Sequence, residues 1–329
     1  MNNILSELEF EDYIIERLVQ GNGYIERDHT YYDDKFAADR ELLMRFLSET
    51  QPETMAQLKK VFKDKLEDTL IATINAEATK ERGSLLSVLK HGIELANFKL
   101  DLLYQKPATT FNKDAAIRYQ KNIFSVMKEV WASDKERVDL VVFINGLAVV
   151  AIELKCNLAG QSYADAITQY RTERNPKTRL FRFKAGCLVC FAMDLNEVYM
   201  TTRLNGAATF FLPFNMGNGE GVHAGKGNPV YPDKYSVSYM WEDILTKDTL
   251  TDLIYKFIFL ETKEERDELT GKRKVRENLI FPRYHQLDVI RKLLADVEQN
   301  RTSQNYLIQH SAGSGKTNSI AWLAHRLAS

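Results

Sequence analysis

Three charged residues interrupt an apolar stretch of the chain and could perform chemistry there. Residues 137–157 read RVDLVVFINGLAVVAIELKCN, with Asp139, Glu153 and Lys155 inside or at the ends of the apolar runs. Charged side chains are costly to bury unless they are paired, hydrogen-bonded or bound to a metal. The stretch therefore indicates either a functional site or a structural salt bridge in which Lys155 neutralises both acids.

Two converging carboxylates beside a lysine suit the hydrolysis of a phosphodiester. Mg²⁺ takes few protein ligands and prefers hard oxygen atoms such as those of Asp139 and Glu153. A cation held there can activate water for attack on phosphorus. Lys155, two residues beyond the second acid, can orient or help deprotonate that water and offset charge on the phosphate. The spacing alone is loose, so the structural salt bridge stays open as an alternative.

The register of a predicted hairpin decides whether the two acids meet. Asn145 and Gly146 between two apolar runs predict a β-hairpin. With a two-residue loop, side-chain alternation puts Asp139 and Glu153 on opposite faces of the sheet. A three-residue loop, or a bulge in either strand, brings both acids and Lys155 to one face. We therefore predict a three-residue loop or a bulge, and a plain two-residue hairpin would count against the site.

The elements that position this hairpin predict an α/β domain over residues 1–260. Helices are predicted over residues 7–20 and 160–174, and strands precede and follow the second helix. Helices followed by mixed strands with one crossover helix favour an α/β architecture. Cys187 and Cys190 form a C-x-x-C, but their apolar surroundings and the lack of a second ligand pair favour buried thiols over a metal or redox site.

A charged run separates this domain from a second one. Residues 261–278 hold an acidic block and then a basic block, which is typical of a solvated linker. The basic half could instead touch phosphates, and consists of Lys272, Arg273, Lys274 and Arg276. The glycine-rich residues 210–229 do not fit a dinucleotide fingerprint and are predicted to form a surface loop. Residues 279–329 open the second domain with a helix.

The second domain contains a glycine loop of the phosphate-binding type. HSAGSGKT begins at His310, follows the apolar YLI, predicted to be a short strand, and leads into an apolar helix. Gly313 and Gly315 let backbone N–H groups surround phosphates, while Lys316 would reach the β and γ phosphates and Thr317 would ligate Mg²⁺. His310 stands where the pattern has its first glycine. Because the chain ends one helix later, before the acidic residue that a motor needs, we expect a truncated protein that does not hydrolyse ATP alone.

Composition sets limits on the partners. The chain has 329 residues, 44% hydrophobic residues, 27% charged residues and a net charge of -1, which is ordinary for a soluble protein of about two domains. Any DNA-binding surface must therefore be local. No apolar run reaches the roughly 18 residues of a membrane span, so no membrane partner is expected. The N-terminus lacks a basic signal region, and three cysteines favour a reducing, cytoplasmic location.

These motifs together resemble a known family. The D-x13-E-L-K arrangement resembles the PD-(D/E)XK nucleases, and the surrounding sequence resembles the N-terminal half of HsdR, the R subunit of Type I restriction–modification systems. The resemblance covers nearly the whole chain through FEDYIIERLVQGNGY, RVDLVVFINGLAVVAIELK, ADAITQYR, FLPFN, RYHQ and GSGKT. It implies an α/β PD-(D/E)XK-type nuclease domain, with a mixed central sheet flanked by helices, followed by the truncated start of a RecA-like helicase motor domain.

The resemblance also implies roles for single residues. Asp139 and Glu153 would be Mg²⁺ ligands and Lys155 the catalytic lysine. Glu11 matches an acid that some of these nucleases add to the metal site, with an exposed helix acid as the alternative. Gln169 matches the glutamine of a Q-x-x-x-Y element near the cleavage site, although a glutamate stands at the tyrosine position of that element.

The remaining expectations concern the intact protein. Gln286 in RYHQ resembles the glutamine that contacts adenine in superfamily 2 helicase-like motors. The resemblance implies an ATP-dependent type I site-specific deoxyribonuclease that assembles with methyltransferase and specificity subunits, pumps double-stranded DNA and cuts it far from the recognition site. Two alternatives stay open: a non-catalytic assembly or DNA-docking module with a degenerate nuclease fold, and a nucleotide-driven enzyme of different purpose.

Overall fold

Groups of helices and groups of strands alternate along most of the chain. A computed structural model describes residues 6–107, 109, 111–157, 160–219, 225–266, 273–301, 305–311 and 313–328. The helices are α1 (Glu7–Glu16), α2 (Arg40–Thr50), α3 (Pro52–Phe62), α4 (Leu66–Thr79), α5 (Leu85–His91), α6 (Lys113–Gln120), α7 (Tyr163–Thr172), α8 (Lys247–Asp252), α9 (Tyr284–Asn300) and α10 (Lys316–Ala328). The strands are β1 (Ile25–Arg27), β2 (Tyr32–Asp33), β3 (Ala38–Asp39), β4 (Ile93–Leu95), β5 (Phe98–Leu100), β6 (Phe124–Ser133), β7 (Glu136–Ile144), β8 (Leu147–Leu154), β9 (Val189–Met193), β10 (Val198–Thr201), β11 (Leu212–Pro213), β12 (Phe259–Arg266) and β13 (Arg273–Ile280).

A mixed sheet forms the centre of the molecule, as the sequence predicts. Its main path is β1-β6-β7-β8-β9-β10-β11, and β3 pairs with the first residue of β8. Strands β6, β7 and β8 form an antiparallel meander, and α7 then crosses over so that β9 runs parallel to β8. An antiparallel pair can be joined by a tight turn, whereas a parallel pair needs such a crossover. The α/β prediction is therefore confirmed.

Apolar side chains cover both faces of this sheet. One cluster joins α1 to the helices that follow it, with Phe10 and Ile14 of α1 among its buried members. A second cluster contains Ile167 and Tyr170 of α7 on the other side. Among the helices in the described ranges, none is both long and apolar enough to cross a membrane. Cys190 is buried in β9 and Cys187 is partly buried just before it, so the prediction of packed thiols fits.

The central hairpin contains a bulge. Its pairs are Leu140–Ile152, Val141–Ala151 and Val142–Val150, followed by Phe143–Ala148 and Ile144–Leu147. Val149 is therefore an extra residue in β8, and the loop itself has two residues. Continuing the register past the bulge sets Asp139 directly opposite Glu153. The predicted bulge is confirmed, whereas the three-residue loop is wrong, because the extra residue lies within the strand and not in the turn.

The two turn residues lie in the core of the protein. Asn145 and Gly146 have φ values of 50° and 80°, the left-handed values that a tight two-residue hairpin requires. The Asn145 side chain is fully buried and donates to the Leu102 carbonyl oxygen at 2.8 Å while accepting from the Ile123 N–H at 2.6 Å. A Cβ on Gly146 would lie 2.3 Å from the Asp39 carbonyl oxygen, so only glycine fits.

Two predictions for the C-terminal region need correction. Residues 261–266 and 273–278 of the charged run predicted as a linker lie in paired strands, because an antiparallel ladder joins β12 and β13. Lys272 of its basic half lies outside the described residues. The short strand predicted at residues 306–308 is not formed, since residues 305–310 have no regular secondary structure. A strand needs a hydrogen-bonded neighbour, and within the described ranges no strand pairs with this apolar run.

Candidate active site

The predicted acids lie at one end of the sheet, near the start of β7 and the end of β8. Asp139 and Glu153 are 6% and 0% exposed, and Lys155 follows immediately after β8. The Asp139 carboxylate accepts a hydrogen bond of 2.7 Å from the Leu154 N–H, which fixes its position across the hairpin. The register and this hydrogen bond together bring Asp139 to the strand that carries Glu153.

Helix α1 brings two further acids to Asp139. Ser6 caps the helix and forms a capping box with Glu9, which sets where its first turn begins. Glu7 and Glu11 lie one turn apart and therefore project from the same side of the helix. One carboxylate oxygen each from Glu7, Glu11 and Asp139 lie within 4.8 Å of one another. Glu11 is only 5% exposed, so it is not the exposed helix acid that the sequence left open.

Glu153 faces a different partner. Its Oε1 accepts a hydrogen bond of 2.7 Å from Arg174 Nε, and the same guanidinium donates to the Arg137 carbonyl oxygen at 2.7 Å. The other oxygen, Oε2, is buried without a hydrogen-bond partner. Among the described acidic residues, Glu153 lies outside the 4.8 Å cluster formed with Asp139. The structure thus places Glu153 outside the cluster, in a buried ion pair with Arg174.

Lys155 is held inside the site. Its Nζ donates to Glu7 Oε1 at 2.9 Å and to the Leu154 carbonyl oxygen at 2.8 Å. The side chain is 8% exposed, whereas that of Glu7 is 32% exposed. The ammonium charge lowers the pKa values of both Asp139 and Glu153, which shows that it lies close to both acids.

Burial and mutual repulsion make the acids hard to ionise. Burial raises the pKa of Asp139 to about 6, although the Leu154 N–H and the Lys155 charge lower it. Burial, with the neighbouring charge of Asp139 next in size, raises the pKa of Glu11 to about 8. The same two causes raise the pKa of Glu153 well above its usual range. Ionised carboxylates that are buried this close together are stable only when a positive charge offsets their repulsion.

The residues fit a hard divalent cation. Glu11 Oε2 is buried without a hydrogen-bond partner, although its carboxylate belongs to the cluster with Glu7 and Asp139. A buried polar atom without a partner is rare in folded proteins and indicates a missing ligand or solvent. Carboxylate oxygens are the ligands that Mg²⁺ prefers. Asp139 and Glu11 are therefore well placed as ligands, and Glu153 would need to turn from Arg174 to join them.

Among the described residues, no hydrogen bond joins the Gln169 side chain to these acids. It is half-buried in α7, and its Oε1 is buried without a hydrogen-bond partner. The neighbouring Tyr170 is fully buried and close to Glu153. Burial raises the pKa of Tyr170, and the charges of Cys190 and Glu153 raise it further. Within this segment, Arg174 forms a hydrogen bond with Glu153, and the role of Gln169 stays a prediction.

Sequence reasoning did not identify Glu7 or Arg174 as members of the site. The spacing of Glu7 and Glu11 by four residues was a usable signal, because such pairs share one helix face. Arg174 gave no signal, since its partner Glu153 lies 21 residues earlier in the chain. Contacts of that separation depend on how α7 packs on the sheet, which no local pattern encodes.

The glycine loop assembles most of its predicted residues. Gly313 and Gly315 have φ values of 74° and 81°, and α10 begins at Lys316. The Lys316 Nζ donates to the carbonyl oxygens of His310 and Ser311, each at 3.1 Å, so it folds back over the loop. Thr317 follows in the first turn of α10.

Gln286 contacts this loop directly. Its Nε2 donates to the Gly315 carbonyl oxygen at 2.9 Å and to the Ser314 carbonyl oxygen at 3.2 Å. A Cβ on Gly315 would lie 2.5 Å from that nitrogen, which is the end of a flexible side chain, and it is the φ of 81° that favours glycine at this position. Its Oε1 accepts from the Arg283 N–H at 2.8 Å. The structure thus joins the two sequence motifs predicted to bind nucleotide.

A cavity of about 850 Å³ lies beside the glycine loop. Its lining includes His310, Arg283, Tyr199, Asn215 and Lys226. Lys226 belongs to the glycine-rich stretch predicted as a surface loop, of which residues 220–224 lie outside the described residues. That stretch therefore borders a cleft shared with the glycine loop.

Comparison with known proteins identifies one family. Residues 4–209 match the family model described as the type I restriction enzyme R protein N terminus. A protein of Methanocaldococcus jannaschii named as the type I restriction enzyme MjaVIIIP endonuclease subunit is 23% identical over 323 residues, which are 96% of this chain and 26% of that protein. A second, named as the MjaVIIP endonuclease subunit of the same organism, is 28% identical over 256 residues, 73% of this chain and 21% of that protein. The chain therefore spans about a quarter of the length of these relatives.

Proposed function

The chain belongs to the family of type I restriction enzyme R proteins and carries their N-terminal region, and on that premise we propose that its buried acid–lysine site hydrolyses DNA phosphodiester bonds with the help of Mg²⁺. One observation carries the proposal. The bulge in β8 sets Asp139 opposite Glu153, next to Lys155 and the carboxylates of α1. On this proposal, the mixed sheet with its flanking helices is a PD-(D/E)XK nuclease domain.

Each residue has a distinct role in the proposed reaction. Asp139 and Glu11 would hold the cation, and Glu153 would join them if its side chain turned away from Arg174. When bound, the cation polarises the phosphodiester and lowers the pKa of a nearby water molecule. Lys155 orients the attacking water and offsets the negative charge that develops on the phosphate. Gln169 is proposed to help position the substrate from α7.

The glycine loop is proposed to bind ATP in the intact protein, as the start of a RecA-like motor. Gly313 and Gly315 would present backbone N–H groups to the phosphates, Lys316 would leave its loop carbonyls to neutralise them, and Thr317 would contact Mg²⁺. Gln286 already contacts the loop, and we propose that it also reads the base. Coupling to DNA translocation, and assembly with methyltransferase and specificity subunits, complete the proposal for the intact protein.

The nuclease proposal is tested by nicking of supercoiled plasmid. We expect Mg²⁺-dependent nicking by the chain, or by a longer protein supplied with ATP and its partner subunits. Asp139→Ala and Lys155→Ala are each expected to abolish it, because one removes a cation ligand and the other the phosphate-facing charge. Glu16→Ala, an exposed acid at the end of α1, is the matched control and should cut normally. Intact plasmid in every reaction would refute the nuclease proposal.

One observation favours a second candidate, a DNA-docking module without catalysis. Glu153 is paired with Arg174 and lies outside the cluster of acids, as expected if the site were only structural. In that case the wild-type protein would bind DNA as tightly as Asp139→Ala, and neither would cut it. Cleavage by the wild-type protein alone excludes this candidate.

A further inference from the structure

Glu7 stands out in the proposed active site because it touches both of its functional halves. One of its carboxylate oxygens belongs to the cluster with Glu11 and Asp139. Its Oε1 also accepts the hydrogen bond from Lys155 Nζ at 2.9 Å. Sequence patterns assigned Glu7 no role, and the capping box assigns the cap of α1 to Ser6 and Glu9. Glu7 suits the positive end of the helix as an acid in its first turn, but it takes no part in the hydrogen-bonded cap.

A second observation indicates that the cluster lacks a ligand. Glu11 Oε2 is buried with no hydrogen-bond partner, and Glu11 is 95% buried within the same group of acids. Lys155 neutralises Glu7 but makes no hydrogen bond to Glu11 among its described contacts. A cation placed among the three carboxylates would satisfy the oxygen that Lys155 does not reach.

Resting on the proposed nuclease function, we propose that Glu7 is a ligand of the metal centre and also the residue that holds Lys155 while the cation is absent. A cation bound by Glu7 takes up its negative charge. The attraction between Glu7 and the Lys155 ammonium then weakens, since the same carboxylate cannot fully neutralise both. Lys155 becomes available to the phosphodiester only when the cation is bound. Glu7 thus makes the availability of the lysine depend on the metal.

The position of Glu7 suits this exchange. Its side chain is 32% exposed, whereas that of Lys155 is 8% exposed, so Glu7 is the partner that can move with little loss of packing. It lies at the first residue of α1, and Glu11 lies one turn later in the same helix. Two ligands from one helical face reach the cation without any change in the backbone.

Metal affinity measures the first part of the proposal. Mn²⁺ binding to the whole chain is followed by calorimetry for wild type, Glu7→Gln, Asp139→Asn and the control Glu16→Gln, which removes one exposed charge from the same helix. We expect Asp139→Asn to lose the site, Glu7→Gln to weaken it by about tenfold or more, and Glu16→Gln to leave it unchanged. Thermal unfolding of each variant without metal confirms that it is folded.

The reactivity of Lys155 measures the second part. Acylation of Lys155 by an amine-reactive ester, read by mass spectrometry, should be slow in the wild-type protein and faster when Mn²⁺ is added. Glu7→Gln should react fast with or without Mn²⁺, because the restraint is already gone. An unchanged rate in wild type on adding Mn²⁺ would refute the link between the cation and the lysine.

The outcomes separate this inference from the nuclease proposal. If Glu7→Gln binds Mn²⁺ like the wild type while Asp139→Asn does not, Glu7 is no ligand and the nuclease proposal stands. If the wild type binds Mn²⁺ through Glu7 yet never nicks plasmid, the metal centre stands and the nuclease proposal fails. If the wild type binds no Mn²⁺, both fail.

Discussion

At the scale of single residues, the acids of the site govern how the protein responds to pH. The pKa values of Asp139 and Glu11 rise from 3.8 and 4.5 to about 6 and about 8 in the folded chain. The folded state therefore binds more protons than the unfolded state between these limits. The contribution of these two groups to the free energy of unfolding is largest below pH 4, and it is lost as pH rises towards 8.

A bound cation should reverse this trend. It favours the ionised carboxylates, so the rise in melting temperature caused by Mn²⁺ should be larger at pH 8 than at pH 5.5. Thermal unfolding with and without Mn²⁺ at the two pH values measures the effect. Asp139→Asn is expected to remove most of the difference. An equal shift at both pH values would show that these acids do not bind the cation.

The site could be predicted from sequence only where its chemistry is local. Asp139, Glu153 and Lys155 lie on or next to one hairpin, and alternation along its strands was enough to require one extra residue, either in the loop or as a bulge in a strand. The contacts of Glu7 with Lys155 and of Arg174 with Glu153 span 148 and 21 residues, so they depend on the packing of helices. The side-chain direction of Glu153 could not be foreseen for the same reason.

At the scale of elements, the hairpin turn is a sensitive point of the fold. Gly146→Ala would combine a left-handed φ with a Cβ 2.3 Å from the Asp39 carbonyl oxygen. Gly206→Ala is the matched control, because its φ is also positive but no atom lies within 4 Å of the added Cβ. We expect about 1 kcal/mol of destabilisation at Gly206 and clearly more at Gly146. Urea unfolding of both variants measures the difference, and equal losses would contradict the crowding.

Some predictions of secondary structure were wrong because a sequence pattern does not specify how strands pair. A run of three apolar residues at 306–308 is too short for periodicity to establish a strand, and in the structure Leu307 is 94% exposed. The charged residues 261–278 look like a linker because charge patterns describe solvation and not pairing. β12 and β13 pair through their backbones, with Glu261 opposite Asn278 and Lys263 opposite Arg276. The central strands β7, β8 and β9, by contrast, are buried on both faces and appear in the sequence as nearly continuous apolar runs.

At the scale of the whole molecule, the helix after the glycine loop is fixed to the main core. Trp322 of α10 is 4% exposed, packs against Phe257 and Phe259, and donates from Nε1 to the Phe257 carbonyl oxygen at 2.8 Å. Arg326 of the same helix forms an ion pair of 3.0 Å with Asp252. The start of the proposed motor thus shares a packed interface with the proposed nuclease domain.

Because of this interface, we expect α10 and the main core to unfold together. Trp322→Ala is expected to cost about 3–5 kcal/mol, because it removes a large buried side chain. Ile320→Ala, two residues away in α10 and 66% exposed, should have little effect. Urea unfolding monitored by far-UV circular dichroism should show one transition that shifts in Trp322→Ala. A separate early transition confined to the C-terminal helices would show that they fold independently.

Contacts of the buried turn fix the strand register of the hairpin more firmly than the contacts at its charged end alone would. Asn145 is bonded to the segments at Leu102, Asn122 and Ile123, and the Gly146 carbonyl oxygen accepts from the Asp39 N–H at 2.8 Å. A slip of β7 against β8 by one residue would break all of these contacts at once. The alignment of the acids at one end of the hairpin therefore depends on contacts that the buried turn makes at the other end.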